Sequence, residues 1–191
     1  SYARAAAIQE AALGPDNPEL ATTLLLTAMV ASSEGDYVAQ RRLAERALAI
    51  REKTFGPDHP VVAITVSTLG GALRNLGDIE SALPLYERAV AIQRASKRGG
   101  PFDLALALNN LGSALLVAGD GARARTFLEE ARAVREKAFG PGAGSNPWSV
   151  TQLANAMWIT GDLPAARSEI ERAVALVDSA NFADTVLDLA E

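Results

Sequence analysis

Apolar residues recur along this chain at spacings of three and four, in paired stretches with a Gly-Asp dipeptide between them. "VVAITVSTLGGALRNL" (61–76) and "IESALPLYERAVAIQRA" (79–95) flank Gly77-Asp78 in this way. That spacing marks amphipathic helices. The dipeptide returns at Gly35-Asp36, Gly77-Asp78, Gly119-Asp120 and Gly161-Asp162, each 42 residues after the last. Ala47, Ala89, Ala131 and Ala173 keep the same register, as do Glu45, Glu87, Glu129 and Glu171, and Ile50, Ile92, Val134 and Leu176. A fixed period of this length reads as a repeat array. Each repeat is predicted as helix A, a tight Gly-Asp turn, helix B and a loop. Glycine supplies the left-handed conformation that ends helix A. Aspartate supplies an oxygen that caps helix B.

The pattern treats residues 1–191 as one array. It has a half repeat at 1–13 (helix B only), repeats at 14–55, 56–97, 98–139 and 140–181, and the start of a further helix A at 182–191. Before the fourth repeat, "GPGAGSNP" (140–147) stands where "GPDHP" (56–60) stands before the second, with its proline three residues later in register. Helix A of that repeat is expected to start about a turn late.

Composition narrows the function. Hydrophobic residues are 49% of the chain and aromatics 5%, with much alanine, which favours closely packed helices. With no cysteine, disulfides, thiolate catalysis and thiolate metal sites drop out. A net charge of −5 and no basic stripe argue against nucleic acid. No apolar run is long enough for a membrane helix, so a cytoplasmic protein without membrane contact is expected. Arginine outnumbers lysine, which is found only at Lys53, Lys97 and Lys137, and this points to a GC-rich bacterial genome.

The repeats resemble tetratricopeptide repeats of the 42-residue type found in kinesin light chains. Leu69-Gly70 and Leu111-Gly112 match that family's helix A. Ala82, Ala124 and Ala166 match its early helix B alanine, and Tyr86, Leu128 and Ile170 its next large residue. Gln40 departs at the alanine position, and Ala28 and Ala154 at the small-residue position. The resemblance implies a right-handed α-solenoid with helices A on the concave face, where such arrays hold peptides or protein elements.

His59, the only histidine, invites a catalytic or metal-binding reading. "GPDHP" (56–60) recurs as "GPDNP" (14–18), however, so Asn17 takes its place and a helix cap is the expected role. Gly99-Gly100 lacks phosphate-loop spacing. No catalytic residue, metal site or cofactor is expected.

Registering helix A on the turn glycine nominates groove residues: Leu25, Met29 and Ser32; Ser67, Gly71, Arg74 and Asn75; Asn109, Ser113 and Leu116; Thr151, Asn155 and Trp158. The asparagines offer amides to an extended peptide, and Trp158 an apolar anchor. Trp148 is expected to pack. Helix B charges such as Arg41 with Glu45 and Arg132 with Glu136 are expected to form solvated i,i+4 pairs. With Arg74 the one basic groove residue, a carboxylate clamp and the acidic-peptide binding of kinesin light chains are disfavoured.

The expected function is a non-catalytic scaffold for a protein or peptide, part of a larger bacterial regulatory protein. Alternatives are a self-associating spacer, or the sensor region of a nucleotide-binding switch enzyme. The chain starts without methionine and shows no capping helix at either end, so it is expected to be an excised segment. Sedimentation velocity is expected to show concentration-dependent association through an open end; a strict monomer at high concentration contradicts this.

Overall fold

The computed structural model describes residues 2–96, 99–140 and 146–188. These form helices without any strand: α1 (Tyr2–Leu13), α2 (Pro18–Ser33), α3 (Tyr37–Phe55), α4 (Pro60–Asn75), α5 (Ile79–Ala95), α6 (Pro101–Val117), α7 (Gly121–Phe139), α8 (Pro147–Ile159) and α9 (Leu163–Asp188). The chain divides into two compact units, Ser1–Asn110 and Leu111–Glu191, with the division inside α6. Repeats contact only their neighbours, so compactness in such a chain is a local property.

Each Gly-Asp pair is one hydrogen-bonded device. Gly35, Gly77, Gly119 and Gly161 all lie at φ between +79° and +86°. At the second turn the Gly77 N–H donates to Arg74 O (3.0 Å) and the Asp78 N–H to Leu73 O (2.9 Å), which satisfies the last carbonyls of α4. The Asp78 side chain then accepts from Ser81 N (3.1 Å) and caps α5. Asp36, Asp120 and Asp162 repeat both roles.

The loops between repeats use other caps. Gly56, at φ +84°, ends α3; His59 then caps α4, its Nδ1 accepting from Val61 N at 3.4 Å. Asn17 does the same for α2, with Pro18 following as Pro60 follows His59. Helix α8 starts at Pro147, capped by Asn146. In contrast to a separate helix A at 182–191, residues 182–188 continue α9, and 189–191 lie outside the described residues. No glycine or proline follows Pro164, so nothing in the sequence stops that helix.

In the first unit, Leu20, Leu24 and Leu25 of α2 bury against Ala6 of α1 and Ala47 and Ile50 of α3. A second cluster joins Val62, Ala63 and Val66 of α4 to Ala89 and Ile92 of α5. Packing between helices of one pair rests on a small residue facing a large one. A Cβ at Gly70 would lie 3.2 Å from the Tyr86 ring, and a Cβ at Gly112 would lie 2.5 Å from Leu128 Cγ. The corresponding pair in the first repeat is Ala28 with Ala44, both fully buried, so a larger helix A residue goes with a smaller helix B residue.

The charged faces do more than form i,i+4 pairs. Arg41 and Glu45 do approach within 3.5 Å. Arg132, however, reaches Glu169 of α9 at 2.6 Å rather than Glu136, and Arg172 takes Glu136 at 3.5 Å. In the first unit Arg46 meets Glu10 and Arg88 meets Glu52, each at 2.6 Å, joining α3 to α1 and α5 to α3. The Glu169 side chain is only 12% exposed, and shielding from water favours a charge-assisted bond there over an exposed pair.

Four substitutions test the turn and the packing. Gly77→Ala forces a Cβ into the left-handed region and should cost about 1–2 kcal/mol in urea unfolding, and Asp78→Ala about 1 kcal/mol. Gly112→Ala should destabilise by about 1–3 kcal/mol through overpacking on Leu128, whereas Gly71→Ala, in ordinary contact range of Tyr86 and Gln40, should be neutral or stabilising by up to about 1 kcal/mol.

Candidate functional site

The first unit carries an open cavity of about 400 Å³. Met29 and Ser32 of α2, Ile64, Ser67, Thr68 and Gly71 of α4, and Asp103, Leu106 and Asn110 of α6 form its sides; Gln40 of α3 and Gln93 of α5 reach it from the other helix layer. Helices A therefore supply the walls, because the clusters below them fix which flank each turns outward. Met29, Ile64 and Leu106 are 63%, 48% and 44% exposed. Among the described residues Asp103 is the one charged side chain in the lining, and its Oδ2 accepts from Gly100 N at 3.4 Å. A surface of this kind suits an apolar side chain flanked by polar groups.

Four nominated residues meet here: Met29, Ser32, Ser67 and Gly71. Others do not. Leu25 is in the core, 8% exposed, against Ala47 and Ile50. Asn109 and Ser113, one period after Ser67 and Gly71, are buried, at 2% and 7% exposure, and it is Asn110 that lines the cavity. Leu116 and Arg74 are half-buried and Asn75 is exposed at the end of α4. Arg74 lies close enough to Tyr86 to offset part of the rise that burial imposes on its phenol pKa.

In the second unit, α8 presents Thr151, Asn155 and Trp158 to solvent, with Trp158 64% exposed. The Thr151 hydroxyl donates to Pro147 O at 2.8 Å. Trp148, expected to pack, is 43% exposed, since α8 starts late and leaves it in the first turn. Elsewhere in this unit Arg132, Arg135 and Arg172 surround Glu169 beside a cavity of about 10 Å³, room for one water. Arg135 is 8% exposed, and burial, followed by the charge of Arg172, lowers its pKa.

Reading helices A alone left out Gln40 and Gln93, which come from helices B. Gln40 carried a signal, as a glutamine where the repeats place alanine. Ile64, Thr68 and Asn110 sit one turn or one residue from nominated positions. His59 stacks on Phe55, with ring centroids 5.1 Å apart, as part of its cap. Among the described residues no group of three or more His, Cys, Asp or Glu side chains could hold a metal ion, and no helix is long and apolar enough to cross a membrane.

Solved structures share the fold. The "kinesin light chain nearly identical TPR-like repeats" of Podosopora anserina superpose with a TM-score of 0.73 at 24% identity, over 94% of this chain and 85% of that one. BtubC (BKLC) from P. vanneervenii gives 0.71 at 23%, over 86% and 66%. A Rap protein complexed with Competence and Sporulation Factor gives 0.72 at 20%; the match covers 84% of this chain and 43% of that one, under half its length. No curated protein matches by sequence. The tetratricopeptide repeat profile matches residues 34–95 and 103–179. The chain belongs to the tetratricopeptide repeat family.

Proposed function

We propose that this chain is a non-catalytic interaction module that holds a peptide or protein element in the cavity of its first unit, within a larger bacterial regulatory protein. One observation carries the reading: an open cavity walled by three helices A, with Met29, Ile64 and Leu106 exposed around it. Exposed apolar residues gathered at a concave site mark binding surfaces. The family supports a protein-binding role, and a similar array, the Rap protein, is solved in complex with Competence and Sporulation Factor. The exposed Asn155 and Trp158 of the second unit form a separate candidate surface.

Random short peptides displayed on phage and panned against the chain test this reading. Recovered peptides are expected to slow amide hydrogen exchange in α2 and α4. They are expected to lose about tenfold or more in affinity on Met29→Ser with Ile64→Ser. Unchanged affinity in a variant with wild-type melting contradicts the groove assignment.

A further inference from the structure

Gln40 stands at the register position that holds Ala82, Ala124 and Ala166 in the other repeats, each 0–1% exposed. Its longer side chain lines the cavity, is 6% exposed, and keeps an Oε1 with no hydrogen-bond partner. Leaving a buried carbonyl unmet is costly, so three alanines show the fold does not need this residue. Its Nε2 lies 3.9 Å from where a Cβ of Gly71 would stand. The positions equivalent to Gly71 are Met29, Ser113 and Asn155. Only here is a side chain missing, and only here does an amide reach into the gap. Two departures from the repeat thus meet in one place.

Gln93 differs. Its Oε1 also lacks a partner, but its Nε2 donates to Pro60 O at 3.5 Å, and its Oε1 lies where a Cβ on Gly99 would come within 2.5 Å. Its Nε2 is held by Pro60 and its Oε1 lies against Gly99, which leaves the Gln40 amide to meet an occupant.

We infer that the cavity of the first unit takes an extended segment of a partner protein that inserts an apolar side chain among Met29, Ile64 and Leu106 and hydrogen-bonds the side-chain amide of Gln40. The inference rests on the groove reading above and adds the ligand's chemistry. Among the described residues Asp103 is the only charged side chain that lines the cavity, so the segment is neutral or carries lysine or arginine beside the apolar residue.

The test uses the peptides recovered by panning on the whole chain, with Gln40→Met, Met29→Ser and Asp103→Asn variants. Gln40→Met keeps length and removes the amide; its thermal melt should be unchanged or higher. It is expected to weaken the peptides about tenfold, the effect of one lost hydrogen bond, and Asp103→Asn to weaken those carrying lysine or arginine. Gly71→Ala, which covers Gln40, should weaken them as well. Peptides that depend on Met29 but bind Gln40→Met as well as wild type, or that are enriched in aspartate and glutamate, overturn this inference and leave the groove reading standing. Peptides indifferent to both Met29 and Gln40, or no recovered peptide at all, overturn both.

Discussion

The Gly-Asp turn is the constraint on which the rest depends. One glycine at positive φ lets the chain reverse, and one aspartate serves both neighbours: its N–H closes the helix behind it and its carboxylate caps the helix ahead. Because the backbone of both helix ends is satisfied within about three residues, the turn fixes the register of helix B against helix A. Everything that recurs every 42 residues, including the small-to-large contact between the pair, follows from that register.

Within a fixed register, volume decides the detail. Glycine faces tyrosine or leucine at Gly70 and Gly112, and alanine goes with alanine in the first repeat. With Ala154 at the small position of the fourth repeat, Ile170 is 48% exposed. The same trade between neighbouring side chains opens the cavity: Gly71 removes a side chain from the wall and Gln40 adds one to the floor.

The helices, their turns and the role of His59 were legible because each is written locally, in a period, a glycine or a cap. The asparagine that replaces His59 in the first repeat was enough to remove the catalytic reading. The groove was only half legible. Leu25, Ser67, Asn109 and Thr151 share one register position, yet Leu25 and Asn109 are buried, Ser67 is half-buried and Thr151 is exposed. Register sets the direction of a side chain, while the neighbours across the gap set its exposure. The charge partners were hidden for the same reason: Arg132 has Glu136 one turn away in sequence, but Glu169 is the nearer and better shielded carboxylate. The continuity of α9 was readable from its lack of glycine, a signal outweighed by the expected period.

The central claim is that partner chains lie against helices A of the first unit. A photo-crosslinking residue placed at Met29 of α2 and, separately, at the equally exposed Val38 of α3 compares the two faces of that unit. The account predicts that selected peptides crosslink from position 29 and not from position 38. Crosslinking from position 38 alone would contradict it.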